Sequence, residues 1–297
     1  MQIPDSDYKQ LYDFSPNYAS VAGHSMHYLD EGSGAPLVMI HGNPSWSFMY
    51  RDLIRTMRPT YRVIVPDHIG CGLSDKPSDD KYIYTLEQRI NDLESLLETL
   101  EIRKNITLVV HDWGGLIGAG YAVRHPDRVA KLIILNSSAF NVPNGKQLHW
   151  TLRFCSQSSL ATALMEKMNA FSVASTLFGV RKHRMPNLVK KAYKAPYHNV
   201  NSRRAVVRFI QDIPFEEEHY SNRIIQEISD SLYLLNKKPV LICWGEKDFI
   251  FDLDFLREWQ RRFPRAEVKR YPGAGHYVLE DETEAVCGNI KDFLRIS

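Results

Sequence analysis

Residues 106–124 read ITLVVHDWGGLIGAGYAVR. Ile106 to Val110 is an apolar, β-branched run of strand length, and its lack of alternation fits a strand covered on both faces. It leads into His111-Asp112-Trp113-Gly114-Gly115 and then into a helix of small residues. A strand, a sharp turn and a helix in succession form the setting in which a reactive side chain is held above a strand end, and Asp112 occupies the nucleophile's place. Gly114 fits the close strand-to-helix contact of such a turn, whereas Val110 stands where glycine is usual, so the match is partial. Taken alone, Asp112 reads equally well as the cap of the following helix, because its carboxylate can accept the unpaired N–H groups of the first turn.

Working outward, Met26 to Leu29, Leu37 to Ile40, Arg62 to Val65, Leu132 to Leu135 and Val240 to Cys243 also read as short strands, with another near Ala266 to Tyr271. Tyr84 to Leu100 is the clearest helix, since Leu86, Ile90, Leu93, Leu97 and Leu100 recur at spacings of three and four. Alternation of this kind predicts an α/β fold with a mostly parallel central sheet flanked by helices. From Phe140 the alternation stops for about 95 residues of helical patterning. The expected division is therefore a core of residues 1–139 and 236–297, with 140–235 as a helical cap over the C-terminal edge of the sheet. Asn141 to Gly145, NVPNG, is the candidate hinge.

Two further signals complete a set. Asp248 follows the Val240 to Cys243 strand in WGEKD, and His276 lies in the Gly-flanked loop GAGHYVLED. Each could be an ordinary turn residue. Together they give the order nucleophile, acid, base, with Asp248 orienting His276. Asp252 and Asp254 rank below Asp248 because they read as the start of the next helix, and Asn136 to Ser138 leave no acid after the strand that precedes the cap.

His41-Gly42-Asn43-Pro44-Ser45-Trp46 follows the Leu37 to Ile40 strand, where one backbone N–H of an oxyanion hole is expected, with Trp113 N–H as the other. The Asn43 carboxamide and the Trp113 indole add side-chain donors suited to holding a departing anion.

In this order HGNPSW, DHIGCGLSDKP, HDWGG and GHYVLED resemble the haloalkane dehalogenases of the α/β-hydrolase superfamily. The likeness spans both core segments and thins in the cap, where only APY at Ala195 to Tyr197 and RFIQDIP at Arg208 to Pro214 match. It implies a triad of Asp112, Asp248 and His276 and halide binding by Asn43 and Trp113, in the manner of the third dehalogenase subfamily. The chain resembles the β-lactone decarboxylases of long-chain olefin formation, which share the triad and much of the cap phrasing, at least as well. The expected activity is cleavage of a carbon–halogen bond through a covalent alkyl ester on Asp112, which water activated by His276 then hydrolyses to alcohol and halide. Lactone decarboxylation is the alternative.

Rivals are weaker. An epoxide hydrolase shares Asp112 and Trp113 but needs cap tyrosines, for which Tyr193 and Tyr197 are candidates that read more simply as packing aromatics. A serine esterase is disfavoured by the aspartate at the elbow, and a binding protein without turnover by the complete triad. Met165, Met168, Phe171 and Phe178 are candidates for an apolar pocket, and Arg181 to Arg184, RKHR, reads as a solvated loop.

The whole chain sets outer bounds. Its 297 residues, 44% of them hydrophobic, suffice for a large core, and a formal charge of +2 gives no overall field to attract nucleic acid or an anionic membrane. The expected partners are a small apolar substrate and water. Cys71, Cys155, Cys243 and Cys287 lack metal or disulfide spacing and are expected to be free thiols. No leader pattern or 18-residue apolar run occurs, which suggests a cytoplasmic protein without membrane insertion. Neither a metal nor an organic cofactor is called for, and a homo-oligomer is compatible with the sequence.

Overall fold

The computed structural model describes residues 7–143, 150–216 and 218–296. Eight strands form one sheet: β1 Asn17–Val21, β2 His24–Glu31, β3 Ala35–Ile40, β4 Tyr61–Pro66, β5 Ile106–Asp112, β6 Val129–Ser137, β7 Val240–Gly245 and β8 Glu267–Tyr271. Their spatial order is β1-β2-β4-β3-β5-β6-β7-β8. The β1–β2 and β2–β4 pairs are antiparallel and the rest are parallel. The expected strands are present; six are extended by one to three residues at one or both ends, and the last begins one residue later, at Glu267. β1, which the sequence reading missed, is a half-exposed edge strand, NYASV, with little apolar character to mark it.

The helices are α1 Arg51–Met57, α2 Leu86–Thr99, α3 Trp113–Arg124, α4 Trp150–Gln157, α5 Ser159–Met168, α6 Ala170–Phe178, α7 Asn187–Lys194, α8 Arg204–Gln211, α9 Tyr220–Ser231, α10 Leu253–Arg262, α11 Val278–Asp281 and α12 Thr283–Ile296. α2 starts where Thr85 accepts the Gln88 N–H. Among the described residues no strand lies between β6 and β7; the elements there are α4 to α9 with short 3-10 turns. Of the candidate hinge, Asn144 and Gly145 lie outside the described residues.

Strand pleating explains the uninterrupted apolar runs. Ile106, Leu108 and Val110 of β5 join one core cluster, whereas Val109 joins the other; in β6, Leu132 and Ile134 oppose Ile133 and Leu135. Each face is buried, so both parities must be apolar. Burying such a side chain is worth about 1.5–3 kcal/mol, and the two clusters clamp the sheet between helical layers.

Chain order places the site. From β3 the chain passes to β4 on one side, then crosses back to β5 on the other side of β3. The C-terminal ends of β3 and β5 therefore flank the point where the winding reverses, where open α/β sheets leave a crevice. Asn43 follows the first and Asp112 ends the second.

Candidate active site

Asp112 has φ +53° and ψ −127°, in the left-handed region of φ that favours glycine. Backbone strain of this sort costs about 1–3 kcal/mol and here turns the carboxylate off the strand end. No side-chain cap bond to α3 is made, so capping does not account for the residue. Instead Asp112 Oδ1 accepts the Asn43 backbone N–H at 2.7 Å.

The close packing of the turn depends on three glycines. A Cβ on Gly42 would collide with the Asp112 carboxylate, and one on Gly114 with the Ile40 carbonyl. The third, Gly118, accommodates Val110: a Cβ there would stand 2.6 Å from Val110 Cγ1. The glycine missing from the turn's N-terminal side is thus offset by one on the helix.

His276 is 5% exposed, with Nε2 3.7 Å from Asp112 Oδ2 and Nδ1 2.8 Å from Asp248 Oδ2. The three widely separated residues are brought into one line. Asp248 is fixed in turn, Oδ1 accepting the N–H groups of Ile250 at 2.8 Å and Phe251 at 3.2 Å, and Oδ2 accepting Asn136 Nδ2 at 3.1 Å. Asp252 caps α10 by accepting the Asp254 N–H, which leaves Asp248 as the acid beside His276.

Two contributors were not singled out in the sequence. Asn136 exchanges bonds with Gly245 while holding Asp248. His111 bonds the His276 carbonyl through Nε2 at 2.8 Å, and burial keeps its imidazole well below its ordinary pKa; the neutral ring therefore donates from Nε2. Its position next to Asp112 was the available signal.

Burial pushes the Asp112 carboxyl up, opposed by the His276 charge and the backbone N–H groups of Asn43 and Trp113. For His276, burial disfavours the imidazolium, but the charge and hydrogen bond of Asp248, with the charge of Asp112, raise its pKa overall. A buried anion, cation and anion in series can keep one carboxylate ionised inside an apolar pocket.

Asp112, Asn43 and Trp113 line a cavity of about 670 Å³, whereas His276 and Asp248 are not among its lining residues. Its walls include Phe140, Leu152, Phe171, Ile210 and Phe251, drawn from the β6 and β7 loops and from α4, α6 and α8. The Trp113 indole N–H has no protein acceptor among the described residues. Asn43 Nδ2 donates to the Val206 carbonyl of α8 at 3.0 Å, so only its second N–H can meet a ligand.

Of the apolar candidates, Phe171 lines the cavity, Met165 packs with Val207 and Ile210, and Met168 and Phe178 face outward. Tyr193 donates to Glu280 and Tyr197 to the Ser45 carbonyl, and neither lines the cavity. Residues 181–184 are exposed, as expected of a solvated loop. The four cysteines are free thiols.

The sequence profile of the alpha/beta hydrolase fold matches residues 35–283. The chain is 46% identical to a cis-3-alkyl-4-alkyloxetan-2-one decarboxylase of Shewanella oneidensis, over 96% of this chain and 89% of that protein. A decarboxylase of the same name from Xanthomonas campestris pv. campestris is 42% identical, over 95% and 97%. Haloalkane dehalogenase 2 of Mycobacterium bovis is 28% identical, over 98% of each chain. The crystal structure of the haloalkane dehalogenase DatA from Agrobacterium tumefaciens superposes with a TM-score of 0.84 at 23% identity, covering 95% of this chain and 97% of that one.

Proposed function

This chain belongs to the alpha/beta hydrolase fold family, and from that premise we propose that it decarboxylates cis-3,4-dialkyl β-lactones to alkenes, with Asp112 as nucleophile. The observation that carries this reading is the 46% and 42% identity to two oxetan-2-one decarboxylases across nearly their whole lengths, against 28% for a dehalogenase. That reverses the expected priority, in which carbon–halogen cleavage came first and lactone decarboxylation second.

The chemistry balances without water or an oxidant. Asp112 Oδ2 attacks C4 of the oxetanone, and the C4–O bond breaks with inversion, giving an alkyl ester on Asp112 and a free carboxylate on C3. The C3–carboxylate bond then breaks. Its electron pair forms the C3–C4 double bond, the Asp112 carboxylate departs from the opposite face, and carbon dioxide leaves. Inversion followed by anti elimination converts a cis lactone into a cis alkene.

Each neighbour has a role. The Asn43 backbone N–H holds Oδ1 and leaves Oδ2 to attack. The Trp113 indole and the remaining Asn43 N–H meet the carboxylate released from the ring. His276, oriented by Asp248, keeps Asp112 ionised against burial. Residues 140–235 act as a cap whose α4, α6 and α8 close the apolar chamber over Asp112.

Hydrolysis of a haloalkane is the second reading, favoured by the unsatisfied Trp113 donor beside Asp112, which suits halide. One experiment separates the two. Purified protein is given a cis-3,4-dialkyl oxetan-2-one and, separately, 1-bromoalkanes, and alkene, carbon dioxide and bromide are measured. Stoichiometric alkene and carbon dioxide are expected; bromide release without alkene would overturn the assignment.

A further inference from the structure

The near-neutral formal charge conceals a strong segregation. From Lys167 to Gln211 the chain carries ten lysines and arginines and no aspartate or glutamate. Arg204 and Arg208 pair with Asp79, and Lys182 pairs with Glu282. Lys167, Arg184, Lys190 and Lys194 make no ion pair among the described residues.

The same stretch and the helix before it expose apolar side chains in register. Leu160, Leu164 and Met168 lie one above another on α5 and are 62%, 38% and 68% exposed. Scattered exposed leucines are ordinary, but an aligned stripe is not. At the end of α6, Leu177 and Phe178 are also exposed, and beyond them the Arg181 guanidinium lies 6.0 Å from the ring of half-exposed Phe249. Arg203 bonds the carbonyls of Glu166 and Lys167 and so holds the turn bearing exposed Val200 against the end of α5.

We propose that this outer face, α5 through α7 with the adjoining turns, docks on an anionic bilayer surface. Interleaved lysines and aliphatic side chains on short helices suit an interface where the charges meet headgroups and the apolar tips enter the acyl boundary. A second copy of the chain fits poorly, because twofold pairing would press the basic surface against itself. Among the described residues no helix is long and apolar enough to cross a membrane, so the contact is peripheral.

Docking there has a use whichever leaving group proves correct. Leu152 of α4 and Phe171 of α6 line the cavity from within, while Phe154 of α4 and Phe178 of α6 are exposed outside. α4 and α6 thus carry apolar side chains toward both the cavity and the outer surface, so a docked chain would bring its chamber close to lipophilic substrate in the bilayer.

The test is cosedimentation of the full chain with vesicles of phosphatidylcholine alone or mixed equally with phosphatidylglycerol. Wild type should bind the mixed vesicles and not the neutral ones, and salt should weaken binding. Lys190→Glu with Lys194→Glu, and separately Leu164→Asp with Met168→Asp, should each lower the partition coefficient about tenfold or more. Unchanged melting temperature and turnover of a short-chain substrate would show that the variants fold. The proposal is overturned if mixed vesicles fail to bind, or if both double variants bind like wild type. Loss of a solution dimer in the Leu164→Asp, Met168→Asp variant without change in vesicle binding would assign the stripe to self-association. Binding to polyglutamate but not to vesicles would assign it to an acidic protein.

Discussion

The side-chain amide of Asn43 donates to the Val206 carbonyl at 3.0 Å, fastening the loop after β3 to α8. One cavity-lining residue thus supplies a backbone donor to Asp112 and a side-chain tie to the helical segment, with one side-chain N–H left over. Trp113, by contrast, has its whole indole donor available to a leaving anion.

Substitutions at the two positions should therefore differ in kind. Trp113→Phe removes a hydrogen bond to a charged group, worth about 1.5–3 kcal/mol, and should slow ester formation about 10- to 100-fold with little change in melting temperature. Asn43→Ala should slow the same step and also remove the tie to the Val206 carbonyl, which keeps its bond within α8; that loss is worth about 0.5–1.5 kcal/mol net and lowers the melting temperature by a few degrees. Stopped-flow single-turnover kinetics and calorimetry read the two effects. Equal thermal stability of both variants would contradict the role of the Asn43 tie.

His276→Ala separates the two chemistries. With a bromoalkane, ester hydrolysis needs a base, so multiple turnover should fall by about 10²–10⁴ while intact-protein mass spectrometry shows one alkyl group on Asp112. With a β-lactone no water is activated, and alkene formation should persist at alkaline pH. Its acid limb should move upward, because the charge that holds the Asp112 carboxyl down is gone. A lactone adduct that accumulates without alkene would refute elimination from the ester.

The pH profile of the native chain carries the same distinction. Asp248 and Asp112 raise the His276 pKa above its ordinary value of about 6.5, so free imidazole is lost as pH falls through a point above that value. Bromide turnover should have its acid limb there. Alkene formation should continue to lower pH, since protonated His276 favours ionised Asp112. The stability linkage has its own sign: His276 contributes fully below about pH 6.5, and its contribution disappears as pH rises through the raised folded value. Melting temperatures across this range, compared with those of Asp248→Asn, should show a decline in the native chain that the variant lacks.

What the sequence made legible follows from where physics leaves a local mark. Buried parallel strands must be apolar on both faces, and Ile106 to Val110 displays that directly; α2 shows its packed face through Leu86, Ile90, Leu93 and Leu97. Asp112, Asp248 and His276 were recognisable because each lies at or just past a strand end. β1 was not, because an edge strand exposes half its residues. Asn136 and His111 were not assigned roles because their contributions are hydrogen bonds to Asp248 and to the His276 carbonyl, created only when distant loops meet. The second engagement of Asn43 was hidden for the same reason: Val206 lies 163 residues away.

Val110 and Gly118 offer a test of the turn itself. Glycine is usual at position 110, and the side chain present there is accommodated because α3 carries no Cβ at Gly118. Gly118→Ala would place a Cβ 2.6 Å from Val110 Cγ1 and 3.0 Å from Ile40 Cδ1, well inside ordinary contact. Overpacking of this kind costs about 1–3 kcal/mol, and here it also pushes α3 away from β5, shifting the Trp113 N–H relative to Asp112. Activity should drop more than stability alone requires, about tenfold or more at temperatures where the variant is fully folded. Adding Val110→Gly opens the space on the strand side and should restore much of the activity, although the glycine itself weakens β5. The double-mutant cycle should therefore show coupling of about 1 kcal/mol or more in the favourable direction, measured by denaturant unfolding and by kcat/KM. Additive effects would mean that the helix and strand do not meet through these two positions.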